Sequence, residues 1–202
     1  MPHHPTIIEN TPEIETDRLI LRKFTADDAP DLLTLLKDRE VNIFLPWFPV
    51  DTPGQALAFL RERFLEHYKT PTAYRYAVCL KPDRRPIGYV TVGGAPSFDF
   101  GYALRKEFWG LRITTEAAAA VSLRLRSAGF EFITATHDVK NPASGEVMKK
   151  IGMEYRYSYV EQWQPKNIPV TFRMYQLNFT GSHGTFMGYW DQYPEHFIES
   201  GV

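Results

Sequence analysis

Residues 99–117, DFGYALRKEFWGLRITTEA, decide how this chain is read. A strand is predicted to end at Leu104, a short turn around Gly110 follows, and a helix begins near Thr114. The N–H groups in the first turn of a helix have no partner inside the helix, and with the helix dipole they form an anion site. A diphosphate is the natural occupant. Strand–turn–helix segments are common, so this stretch alone does not fix a function.

Outward from it, residues 18–24 (RLILRKF) read as a first strand. Thr25 with Asp27 and Asp28 then starts a helix that carries Leu32, Leu33, Leu35 and Leu36. Residues 41–50 (VNIFLPWFPV) are aromatic and proline-rich and predict an irregular loop. At Thr52-Pro53-Gly54-Gln55 a helix begins: the threonine caps, the proline takes the first helical position and the glutamine reaches back. Leu57, Leu60, Phe64 and Tyr68 follow at spacings of three and four on one face. Residues 74–80 and 87–92 read as a hairpin, and 98–104 as the next strand. The helix after Gly110 has Ala118, Val121, Leu125 and Ala128 on its apolar face. Residues 132–136 are a strand, and 141–151 a short helix with Val147, Met148 and Ile151 on one side. Two long strands, 155–164 and 170–179, complete the order. It predicts a mixed α/β (α+β) domain with helices on both faces of a largely antiparallel central sheet. Residues 1–14 read as a loose lead-in, with His3 and His4 in a mobile end. Residues 15–179 form the domain. The tail, 180–202, is aromatic and too apolar to float free, so it is expected to dock on its own domain or on the partner in a homodimer.

A chain of 202 residues suits one domain with a sizeable core. Its net charge of -1 gives no reason to expect nucleic acid or an anionic membrane as a partner. Cys79 is the single cysteine, so there is no disulfide framework, and its neighbours Ala77, Val78 and Leu80 predict an inert, buried thiol. No apolar run approaches the roughly 20 residues that cross a bilayer. The first residues lack the basic-then-apolar order of a secretory signal. Two histidines at one end are too few for a metal site. The cytoplasm is the expected location.

Four pieces in register carry a family resemblance. They are Glu15-Thr-Asp-Arg-Leu-Ile-Leu-Arg22, Phe100-Gly-Tyr-Ala-Leu104, Phe108-Trp109-Gly110 through Thr115-Glu116-Ala117, and Asn141-Pro-Ala-Ser144 through Val147 to Met153. From about Glu15 to Phe179 the chain resembles the GCN5-related N-acetyltransferases (GNAT), in the branch of the ribosomal-protein alanine and serine acetyltransferases. The resemblance implies the acyl-CoA N-acyltransferase fold, acetyl-CoA as cosubstrate, an amine acceptor and no metal. One departure stands out. The family's phosphate loop usually reads glutamine or arginine, two residues, glycine, one residue, then glycine or alanine. The best register puts Trp109 first, Arg112 at the glycine and Thr114 last. Arg112 would either crowd the phosphates or add a charged contact.

The resemblance further implies that the backbone of Tyr102, Ala103 and Leu104 pairs with the cofactor's amide arm. It implies phosphate contacts from Trp109, Gly110, Leu111, Arg112, Ile113 and Thr114, with Thr115 beside them. Core packing is the plain alternative for Trp109, and helix capping for Thr114 and Thr115. Asn141 resembles the asparagine that bonds the cofactor arm, and is equally an N-cap ahead of Pro142. Ser144 resembles the residue that protonates the leaving thiolate. An amine must shed a proton before it attacks a thioester, and the candidate bases are Glu161 and His137. The developing oxyanion needs a donor, often a backbone N–H. Asn42, Phe44 and Trp47 are expected to line the acceptor site, although packing of their loop accounts for them as well. The competing function is a non-catalytic coenzyme-binding or sensing module of the same fold.

Overall fold

Two antiparallel sheets meet at a single point, and helices cover them. The computed structural model describes residues 10–69, 74–181 and 184–202. The proposed mobile end at His3 and His4 lies outside these. The first sheet is β1 (Ile14–Glu15), β2 (Leu19–Arg22), β3 (Arg75–Leu80), β4 (Pro86–Val92) and β5 (Phe100–Leu104), in that order. In the second, β6 (Phe132–Asp138) pairs with β8 (Ile168–Asn178), β8 with β7 (Glu154–Trp163), and β7 with β9 (His196–Phe197). One parallel bridge, Asp99 to Thr134, joins the sheets at the base of β5 and β6. Beyond it those two strands are the unpaired edges of their sheets.

Helices α1 (Ala29–Lys37) and α2 (Pro53–Arg63) cover one face of the first sheet. Leu32, Leu35, Leu36, Ala56 and Leu60 pack there on Ile20, Ala77, Cys79 and Tyr89. Helix α2 starts as the sequence predicts, with the Thr52 hydroxyl accepting from Gln55 N–H and the Gln55 side chain reaching back. Helices α3 (Ile113–Ser127) and α4 (Pro142–Lys150) lie on the opposite face. Ala118, Val121 and Leu125 of α3 are completely buried against Val78, Val90 and Phe100. Truncating any of these buried leucines to alanine would cost about 2–5 kcal/mol. The expected antiparallel α/β architecture is present, but its sheet is split in two.

Residues 10–15 are not loose. Asn10 and Thr11 are buried, the Thr11 hydroxyl accepts from Arg75 N–H, and Ile14 and Glu15 pair with β2. The tail docks on its own domain through helix α5 (Gly188–Gln192) and strand β9. Its Glu199 accepts from Ser158 Oγ at 2.5 Å and from Arg173 Nε at 3.0 Å. No helix among the described residues is long and apolar enough to cross a membrane.

Candidate active site

Helix α3 begins one residue earlier than the sequence suggests. Its N-cap is Arg112, held in the left-handed region at φ 60°, and no side chain caps the helix. The first intrahelical bond runs from Glu116 N–H to Arg112 C=O at 3.0 Å. Ile113, Thr114 and Thr115 thus keep their N–H groups without a partner among the described residues. Thr114 and Thr115 occupy the first turn and do not cap it. Gly110, at φ 75°, gives the loop a second left-handed turn that suits a residue without Cβ. Trp109 is no core residue: it is 45% exposed, and its indole N–H donates to the Leu104 carbonyl at 2.9 Å. The loop is also held from outside. Arg18 donates to the Leu111 carbonyl at 3.0 Å and to Glu116 of α3 at 2.7 Å.

Strand β5 is open on the side facing β6. Asp99 C=O and Arg105 N–H bond toward β4. By antiparallel alternation the groups of Tyr102 and the N–H of Leu104 then face the gap. The Tyr102 hydroxyl spans to α4, donating to the Ser144 carbonyl at 2.7 Å and lying 3.0 Å from Ser144 Oγ. Burial pushes the Tyr102 phenol well above its usual range, so it stays protonated. Asn141 caps α4: its side-chain oxygen accepts from Ser144 N–H at 3.3 Å.

The two predicted bases lie on opposite faces of the second sheet. Thr136, Met174 and Tyr157 share a rank, so Tyr159, Glu161 and Phe172 present to one face and His137, Arg173 and Ser158 to the other. His137 is 4% exposed, and its Nδ1 lies 2.8 Å from the Asp138 carbonyl. Its Nε2 has no partner and abuts helix α4, where a Cβ on Gly145 would come within 2.6 Å of it. Burial lowers its pKa, so the ring is neutral. This places His137 with the α4 side of the gap, away from Glu161.

On the Glu161 side stands an acid that the sequence reading passed over. Asp99 lies at the vertex of the two sheets, on the face of β5 that looks toward α1 and α2. Burial pushes its carboxyl up to about 6, with Tyr189 of the tail close by working the other way. One of its oxygens is buried without a partner. Tyr159 stacks with Tyr189 and with Tyr193, ring centroids 5.2 and 4.8 Å away, and Tyr193 lies close to Glu161. Asp99, Tyr102, Ser144, Glu161, the α3 loop and the gap all line one cleft of about 900 Å³.

Residues 18–154 match the family described as "Acetyltransferase (GNAT) domain". The chain is a member of the GNAT family. It is 24% identical over 148 residues to the uncharacterized N-acetyltransferase YoaA of Bacillus subtilis, covering 71% of this chain and 83% of that protein. A GNAT-family acetyltransferase structure from Bacillus anthracis superposes with a TM-score of 0.72 at 20% identity, covering 83% of this chain and 99% of the other. RimL, the ribosomal L7/L12 alpha-N-protein acetyltransferase in complex with coenzyme A, superposes with a TM-score of 0.73 at 18% identity, covering 83% and 98%.

In this GNAT chain the three residues expected at the acceptor site separate. Phe44 and Trp47 line the cleft. Asn42 does not offer its amide there: it is 1% exposed, donates to the carbonyls of Leu35 and Leu36 at 3.0 Å, and accepts from Trp47 Nε1 at 2.9 Å. It ties off the end of α1. Lys166, between β7 and β8, donates to the Asn42 and Ile43 carbonyls and holds the loop across the chain. Cys79 is completely buried, and burial pushes its thiol up to about 12, as expected of an inert group. Among the described residues no cluster of histidine, cysteine and acids has metal-binding geometry.

Proposed function

We propose that this GNAT domain transfers the acetyl group of acetyl-CoA to a primary amine by direct attack in a ternary complex. The observation that carries the reading is the open edge of β5 beside the uncapped start of α3. Unpaired strand donors and acceptors suit an amide-bearing arm laid along them as an added strand. Unpaired N–H groups at a helix start, behind a left-handed loop, suit a diphosphate. RimL, of the same fold, is known with coenzyme A bound. When bound, the cosubstrate supplies an activated acetyl thioester.

The chain's own groups would do the rest. Asp99 accepts a proton from the incoming ammonium, since its carboxyl titrates near 6 and has a free oxygen. Glu161, close to Tyr193, faces the same end of the cleft. The Tyr102 and Ser144 hydroxyls stand as a bonded pair at the gap, available to hydrogen-bond a departing sulfur. Unpaired N–H groups on β5 are donors for a carbonyl oxygen that gains charge. A covalent cysteine route finds no support, because Cys79 is buried under α1 and α2.

Titration calorimetry with acetyl-CoA, followed by thiol release with a broad panel of amines, tests this. Binding and amine-dependent release are expected. Binding without turnover on any amine would favour the sensing module. No association at all would remove the reading.

A further inference from the structure

The acceptor side of the cleft is lined by two cations, Arg75 and Arg63. Arg75 opens β3 and stands in register with Thr91 of β4, which stands in register with Gly101 of β5. Residues in such a rank share a face. Two inter-strand steps of about 4.8 Å put Arg75 about 10 Å from Gly101, and Asp99 lies two residues before Gly101 on that face. The ground between is small: Gly101 presents no side chain, and a Cβ there would touch only Thr91 Oγ1. Arg75 and Asp99 thus stand at opposite ends of one short floor, and both line the cleft.

The Arg75 guanidinium has no carboxylate in ion-pair range among the described residues, and its Nε is buried without a partner. Arg22 and Arg173, also partly buried, are paired, with Asp28 at 2.7 Å and with Glu199 at 2.5 Å, while Arg124 on α3 shares the unpartnered Nε but lies outside the cleft. Burial, and the like charge of Arg63, work against the charge of Arg75, while the nearby Tyr68 favours it. Arg63 lies over the Trp47 ring at 5.6 Å, and its acidic neighbour is the exposed Glu62 at 3.6 Å. An unmatched guanidinium in a cleft is costly to keep unless an anion arrives with the ligand.

Building on the acetyl-transfer reading, we infer that the acceptor is a small amine carrying its own anionic group, a carboxylate or phosphonate, a few bonds from the nitrogen. The anion pairs with Arg75, with Arg63 behind it, while the ammonium faces Asp99. The walls between are aromatic, from Phe59, Phe64 and Tyr89. This selects free amino acids or their phosphonate analogues. A peptide N-terminus carries no free α-carboxylate and leaves Arg75 unmatched.

The test measures binding and thiol release with a panel of L-amino acids, their carboxamides, their aminophosphonate analogues and short amidated peptides. At least one acid is expected to exceed its own amide by tenfold or more. Arg75→Met should erase that ratio, and Arg75→Lys should restore part of it. The phosphonates tell whether a carboxylate or a doubly charged head fits better. If every acid matched its amide, if Arg75→Met left the ratio unchanged, or if amidated peptides were preferred, the inference would be overturned. Coenzyme affinity on the same samples reports separately on the acetyl-transfer reading. Absence of coenzyme binding would sink that reading and this inference with it, whereas coenzyme binding with acids and amides used equally would overturn this inference alone.

Discussion

Asp99 has its carboxyl raised by burial to about 6. In the unfolded chain an aspartate releases its proton near 3.9. Between those values the folded state holds the proton longer, so stability falls as pH rises through this window and stays reduced above it. Asp99→Asn is therefore expected to stabilise the protein at pH 8 by about 1–3 kcal/mol and to give no gain at pH 4. It should also slow acetyl transfer by about 100-fold or more. Thermal melts at the two pH values check the first part, and thiol release the second. Equal stabilisation at both would show that the charge carries no cost. Arg112 makes a different residue-scale case. In the sequence it reads as a bulky replacement for glycine. The structure shows that the backbone there needs positive φ, and a β-branched residue meets that need worst. Arg112→Gly should be neutral or stabilising by up to about 1 kcal/mol, and Arg112→Val destabilising by about 1–2 kcal/mol. Chemical denaturation separates them. Asp99 was legible only as one letter inside DFGYAL, because its importance comes from the second sheet and the tail closing around it.

At the scale of elements, helix starts were readable because capping is local. Thr52 with Gln55 and Asn141 ahead of Pro142 behave as their spacing predicts. The split between β5 and β6 was not readable, since both strands look alike to a pattern of apolar residues. Only non-local register decides which edge stays unpaired. The opening ETDRLILR is similar: its match to the family is visible in sequence, but its purpose appears in space. Thr16 and Arg18 bind Glu116 of α3, and Arg18 also holds the Leu111 carbonyl. The first strand thereby fixes the loop expected to meet the phosphates. Arg18→Met should weaken acetyl-CoA binding by about 5–30-fold, the loss of one or two charge-assisted hydrogen bonds at a partly exposed site, with a small change in melting temperature. Calorimetry beside a melt checks it. A large melting shift with unchanged affinity would make Arg18 a stability residue alone.

At the scale of the molecule, the aromatic tail completes the acceptor side. The sequence foretold that it would dock, from composition. It did not foretell that Tyr189 would reach Asp99, or that Glu199 would lock the end onto Arg173 and Ser158. Truncation after Phe179 removes β9, the Tyr159 stack and that lock together, so both stability and turnover should fall. Glu199→Ala is the milder probe, with an expected loss of about 1–3 kcal/mol and little change in coenzyme affinity. The central claim is that the cleft between the sheets brings a thioester and an amine together. The direct measurement is the ratio of N-acetylated amine to free coenzyme A thiol, by mass spectrometry and thiol titration in one reaction. One acetylated amine per thiol, suppressed in Asp99→Asn while coenzyme still binds, is the predicted result. Thiol release without acetylated amine, or an undiminished Asp99→Asn, would contradict it.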